Sequence, residues 1–168
     1  ADESQWRRFL EELGIQTELT GGFAAKGGRR QIFLYPNSIP YLEVAFPHEL
    51  THLVLDEMAG GKKIPLWFDE GCANYEGGII GLDENLLVAS VYAGKHILLQ
   101  ELIALPGYPK DAERIRLFYT ESEKLVEYLI GQFGRKRFGE FTELLLKTGD
   151  FEKAFLSPYG GKIGSVKE

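Results

Sequence analysis

The chain has 168 residues, a formal net charge of −6 and one cysteine, Cys72. This length suits a single domain that buries a hydrophobic core of its own. The acidic balance argues against nucleic acid or an anionic membrane surface as a partner. One cysteine excludes an intramolecular disulfide, and no apolar run in the sequence is long enough to span a bilayer.

The first part of the chain predicts one helix and a small sheet. Apolar residues recur at helical spacing over Gln5–Leu13, which predicts a short amphipathic helix that ends at Gly14. Short apolar stretches over Phe23–Ala25 and Gln31–Tyr35 predict strands of a small sheet. Gly27-Gly28 lies between them and is expected to form a hairpin turn.

After Pro40 the sequence is typical of a helical region nearly to its end. Helices are expected over Glu43–Met58, Leu66–Glu76, Leu82–Leu105, Thr120–Phe133, Phe138–Leu146 and Phe151–Leu156. Pro47 either starts the first of these or kinks it, and Gly94 is expected to break the third. Thr120 and Glu123 predict a capping box. A small N-terminal sheet followed by a mainly helical region indicates an α+β fold in one domain over residues 1–168.

The run His48-Glu49-Leu50-Thr51-His52 carries the clearest chemistry in the sequence. Residues four apart lie on the same face of a helix, so His48 and His52 can direct both imidazoles at one metal ion. Zinc accepts such ligands and lowers the pKa of a bound water to about 7. Glu49 would take a proton from that water as a general base. The sequence therefore predicts a hydrolytic site with one Zn²⁺ ion on this helix.

A catalytic zinc site also needs a third protein ligand, and several later residues have suitable side chains. The candidates are Asp56, Asp69, Glu70, Glu76 and His96. Asp56 lies on the same helix as the two histidines, where its carboxylate could not easily complete a tetrahedral set of ligands with them. The next helix can fold back through the turn at Gly60-Gly61 and is the best source of the ligand. Leu55 and Met58 stand where a metzincin has its glycine and third histidine, which excludes that class.

The helix that carries His48, Glu49 and His52 is followed by the run Trp67-Phe68-Asp69-Glu70-Gly71-Cys72-Ala73. These two stretches together resemble the gluzincin superfamily of zinc metallopeptidases. Thermolysin and aminopeptidase N are familiar members. The resemblance implies a zincin-like fold with the HExxH motif on a central helix, and it implies that Glu70 is the third zinc ligand. It also implies that Asn74 accepts a hydrogen bond from a zinc-bound histidine.

A second stretch, Phe118–Ser122, resembles the Tyr-x-x-Ser helix of small bacterial gluzincin domains. The resemblance implies that Tyr119 stabilises the oxyanion that develops on the attacked carbonyl. The likeness extends from about Gly21 to Gly161. Because Gly160–Ser165 resembles the beginning of a final helix, we expect the chain to be truncated at its C-terminus.

The predicted function is zinc-dependent hydrolysis of peptide bonds, with a peptide or protein as substrate. Gly21–Ala25 lacks the glutamate with which aminopeptidases of this superfamily hold an amino terminus, so endopeptidase action is expected. Substrate backbone is expected to pair with the edge of the Gln31–Tyr35 strand. The alternative is a zinc-binding but inactive binding or assembly module of a larger exported protein, which a fourth coordination position closed by Asp69 or His96 would favour. The sequence leaves open the oligomeric state and the compartment, for which an extracytoplasmic bacterial location is one candidate.

Overall fold

The computed structural model describes residues 2–14, 22–25, 30–35, 41–78 and 84–159. These residues form a mostly helical structure with a two-stranded antiparallel sheet, consistent with the predicted α+β class. The helices are α1 (Glu3–Glu12), α2 (Phe46–Ala59), α3 (Leu66–Gly77), α4 (Glu84–Tyr92), α5 (Leu99–Ala104), α6 (Ala112–Phe133), α7 (Arg135–Thr148) and α8 (Phe151–Tyr159), and the strands are β1 (Gly22–Ala25) and β2 (Gln31–Leu34). None of the described helices is both long enough and apolar enough to cross a membrane.

The two strands pair in a register that sets Phe23 opposite Phe33. Their rings stack at a centroid distance of 4.7 Å, and Phe9 of α1 packs against both. β1 also faces α2, since a Cβ at Gly22 would lie 3.3 Å from the Cγ of Glu49. The predicted helix and strands are therefore confirmed, whereas the predicted turn at Gly27-Gly28 lies outside the described residues.

α2 continues a π-helical turn, Tyr41–Ala45, with no side-chain cap between the two segments. Pro47 is the second residue of α2. It has no N–H to donate to the carbonyl four residues earlier, and its ring clashes with that carbonyl in an α-helix. The wider π-helical turn accommodates this mismatch. Pro47 therefore lies in the first turn of α2, the first of the two predicted positions, and a π-helical turn precedes it.

α3 is the central helix, packed between α2 and α6. Every residue from Trp67 to Asn74 is buried. Trp67 and Phe68 anchor the helix in the core, and Cys72 is a buried member of the same core. Burial on all sides explains why the apolar and small residues of α3 are not confined to one stripe. The buried polar residues of this helix are Asp69, Glu70 and Asn74.

The predicted helical segment Leu82–Leu105 is interrupted near Gly94, as expected, in the part that the structure describes. The described part of this segment forms two helices, α4 and α5, and the chain turns between them at Gly94, which has a left-handed φ of 66°. The residues between α3 and α4, 79–83, lie outside the described part of the chain.

The predicted capping box at Thr120 and Glu123 is wrong. α6 begins earlier, at Ala112, and the Asp111 side chain caps it by accepting from the Arg114 N–H. Thr120 lies inside the helix, where its hydroxyl donates to the carbonyl of residue 116 at 2.9 Å. A helix offers this backbone acceptor to any interior threonine, so the Thr-x-x-Glu pattern alone does not fix a helix start.

Candidate active site

Three potential ligand atoms converge between α2 and α3. The Nε2 atoms of His48 and His52 are 3.2 Å apart, because the residues are one helical turn apart on the face of α2 that meets α3. The Glu70 Oε2 lies 3.8 Å from each of them. A tetrahedral zinc ion with ligands at about 2.0–2.1 Å separates its ligand atoms by about 3.4 Å. The three side chains therefore fit a metal ion, and they form the metal-capable group found among the described residues.

Asp69 orients His52 through the ring nitrogen that does not face the other two potential ligands. Its Oδ1 lies 2.8 Å from the Nδ1 of His52, on the side of the ring opposite Nε2. Burial would lower the pKa of His52, but the hydrogen bond to Asp69 and the charges of Glu70 and Asp69 outweigh it and raise that pKa. With the ring proton on Nδ1 and donated to Asp69, the Nε2 lone pair is free to face the convergence point.

His48 has a different environment. Burial lowers its pKa to about 4, so the imidazole is neutral near pH 7 and can offer a lone pair to a metal. Its Nδ1 faces the Ala73 carbonyl and the Asn74 side chain, although neither contact has the geometry of a full hydrogen bond. Asn74 is 1 % exposed, and its side chain lies beside His48, one of the histidines of the group.

Glu49 points toward the hairpin. Its carboxylate accepts a hydrogen bond from the backbone N–H of Ala24 in β1. Burial raises the pKa of Glu49 to about 7, and the positive field of His52 offsets only part of that rise. The strand whose backbone reaches Glu49 is β1. The predicted substrate-facing edge, Gln31–Tyr35, belongs instead to β2 and the residue that follows it.

Two tyrosines close the opposite side of the group. Tyr119, on α6, is partly buried, and both burial and the nearby charges of Glu70 and Glu49 raise its pKa above the usual range. Tyr108 lies in the segment between α5 and α6, and its hydroxyl donates to the Oε1 of Glu70. The two tyrosine hydroxyls are also hydrogen bonded to each other.

Two glycines allow the helices that carry these residues to approach closely. A Cβ at Gly71, next to Glu70, would lie 2.5 Å from the carbonyl oxygen of Ser122 on α6. A Cβ at Gly77 would lie 3.0 Å from the carbonyl oxygen of Val44 and 3.1 Å from the Cβ of His48. All three distances are shorter than ordinary packing distances of about 3.5–4.0 Å. The small residues thus set the spacing of α3 against the π-helical turn and α2 on one side and against α6 on the other.

Residues 10–168 match the sequence model of the peptidase MA superfamily. The chain belongs to the peptidase MA superfamily. Members of this superfamily are typically metal-dependent, and a peptidase family suggests peptide or protein substrates. No curated protein and no solved structure matches the chain at a significant level.

In this peptidase MA superfamily chain, the predicted site residues lie in one region. They are His48, Glu49, His52, Glu70, Asn74 and Tyr119. His96, a rival third ligand, lies instead near Glu121 of α6 and outside the metal-capable group. Sequence reasoning missed the orienting contact of Asp69, which it weighed only as a ligand, and it missed Tyr108 entirely. Only the tertiary fold brings the Tyr108 segment to Glu70, 38 residues earlier, because no local pattern links them.

Proposed function

We propose that the chain is a zinc-dependent metallopeptidase of the gluzincin type that hydrolyses internal peptide bonds. The observation that carries the proposal is the convergence of His48, His52 and Glu70 on one point, with ligand atoms 3.2–3.8 Å apart. Two imidazoles and a carboxylate are a donor set of catalytic zinc sites. A zinc ion held by these residues would supply Lewis acidity, which makes water a nucleophile near neutral pH and polarises the substrate carbonyl.

Glu49 is assigned the role of general base and then general acid. It would accept the proton of the attacking water and deliver it to the leaving amine. In the metal-free site its pKa of about 7 means that it can hold or release a proton near neutral pH. The Ala24 N–H fixes the carboxylate on the side of β1, so we assign the outer edge of β1 to the substrate backbone.

Tyr119 is assigned to the oxygen of the attacked carbonyl. Because its pKa is raised, the phenol keeps its proton at neutral pH and is available as a hydrogen-bond donor. Asp69 and Asn74 are assigned to the two histidines, with Asp69 holding His52 and Asn74 accepting from His48. These contacts would select the ring tautomers that leave both Nε2 atoms unprotonated.

The position of Asp69 argues against an inactive zinc module. A fourth coordination position closed by Asp69 or His96 would favour that alternative. Asp69 instead binds the far side of His52, and His96 lies outside the group. The presence of a buried carboxylate at Glu49 beside the ligands also favours an enzyme, since a purely structural site has no use for a base.

The test is the Glu49→Gln variant, assayed for zinc content by elemental mass spectrometry and for cleavage of a peptide library. We expect about one zinc per chain in both parent and variant, and a fall in the cleavage rate of about 10²–10⁴-fold in the variant. The control is Glu57→Gln, which removes an exposed carboxylate from the same helix and is expected to retain full activity. Zinc-loaded Glu49→Gln that cleaves peptides at the parent rate would disprove the assigned base.

A further inference from the structure

The two oxygens of the Glu70 carboxylate have separate partners. Oε2 faces the Nε2 atoms of His48 and His52 at 3.8 Å each. Oε1 accepts a hydrogen bond from the hydroxyl of Tyr108, which reaches it from the segment between α5 and α6. One carboxylate oxygen of Glu70 thus faces the convergence point, and the other faces Tyr108.

The direction of the hydrogen bonds follows from the donors available. A carboxylate only accepts, so the proton in the contact with Glu70 comes from a phenolic hydroxyl. The contact between the two tyrosine hydroxyls raises the pKa of Tyr108 and lowers that of Tyr119, so Tyr119 accepts in this contact and keeps its own proton. The donor to Glu70 is therefore Tyr108.

We propose that Tyr108 is a positioning residue that holds the Glu70 carboxylate so that only Oε2 faces the metal. The inference rests on the proposed function, because it assigns Glu70 as a ligand. Without the tyrosine hydroxyl, the carboxylate loses the hydrogen bond that turns Oε1 away from the convergence point. Groups that orient a metal ligand in this way typically contribute about 10–100-fold to metal affinity or activity.

The ring of Tyr108 is held independently of its hydroxyl. It packs edge-on against Phe118 with ring centroids 6.0 Å apart, and it lies 6.1 Å from the ring of Tyr119. Removing only the hydroxyl therefore leaves these ring contacts in place. The Tyr108→Phe variant thus separates the proposed positioning role from the packing role of the aromatic ring.

The experiment measures the zinc dissociation constant of the full chain by competition with a chromogenic chelator, which needs no peptidase activity. We expect Tyr108→Phe to bind zinc about 10–100-fold more weakly than the parent. The matched control is Tyr128→Phe, since Tyr128 on α6 is 52 % exposed and Tyr108 is 47 % exposed. The control variant is expected to bind zinc as the parent does, and the metal-free forms of all three chains are expected to melt at the same temperature.

Parent-level zinc affinity in Tyr108→Phe would overturn the inference while leaving the proposed function intact. A parent chain that takes up no zinc would overturn both. Should Tyr108→Phe lower the melting temperature of the metal-free chain, the deciding comparison is the zinc affinity of Tyr108→Phe and parent measured well below both melting temperatures. Weaker zinc binding by Tyr108→Phe under that condition supports the inference, and parent-level binding overturns it.

Discussion

Replacing Gly71 with alanine tests the close approach of α3 and α6 directly beneath the candidate site. The new Cβ would lie 2.5 Å from the carbonyl oxygen of Ser122, 2.9 Å from its carbonyl carbon and 3.0 Å from the Cγ2 of Val126. Two of these three atoms belong to the backbone of α6 and have no rotamer through which to move away. The helices must therefore separate, and the residue next to Glu70 moves with them.

The expected loss of stability is the difference between two terms. Inserting a methyl group into a packed interface costs about 3 kcal/mol, the upper part of the usual range, because backbone atoms must shift. Alanine recovers about 1 kcal/mol over glycine as a helix former. The net loss of about 2 kcal/mol corresponds, in a chain of this size, to a fall in melting temperature of about 4–8 °C.

The assay is thermal unfolding of the metal-free chain followed by circular dichroism. Gly139→Ala is the control, because Gly139 also lies inside a helix, α7, but a Cβ there meets nothing within 4 Å. We expect this variant to melt about 2–4 °C above the parent, since only the helix-propensity term remains. If Gly71→Ala were to melt at or above the parent temperature, α3 and α6 would not be in the close contact described.

Two further predictions concern Asp69 and Tyr159. Asp69→Asn removes the charge that orients His52 and is expected to weaken zinc binding about 10–100-fold in the chelator assay. The control variant, Asp56→Asn, should bind zinc as the parent does. Equal zinc affinities in the two variants would contradict the orienting role of Asp69. Tyr159→Phe should unfold at the same or a higher denaturant concentration at pH 8, since the buried hydroxyl has no hydrogen-bond partner among the described residues. Burial raises the pKa of Tyr159 to about 12, above its unfolded value near 10, so the parent should lose stability relative to Tyr159→Phe as the pH rises through this window. A difference between the two proteins that stays constant from pH 8 to pH 11 would refute this linkage.

Local spacing predicted the parts of the site that lie on one helix or follow a known run of residues. His48 and His52 are one turn apart, so any helix over this segment brings their rings together. The predicted α2 and α3 match the structure to within a few residues at each end. Their boundaries coincide with Pro65, Gly60 and Gly78, residues that start or end helices through backbone geometry alone.

Contacts between distant segments were not predictable in the same way. Tyr108 reaches Glu70 because the segment before α6 passes over α3, and nothing in the residues near Tyr108 encodes that path. The error at Thr120 has a different origin, since the same threonine side chain can cap a helix or bond to a carbonyl within it. Which of these occurs depends on how far the helix extends upstream, and Asp111 determines that start nine residues earlier.

The contact between β1 and Glu49 has a consequence for any survey of this hairpin by mutation. The donor is the main-chain N–H of residue 24, so its presence does not depend on which side chain stands there. Nineteen of the twenty amino acids carry that N–H, and proline alone lacks it. A scan with alanine, or a comparison of side chains among related sequences, would therefore pass over a contact that orients the assigned base.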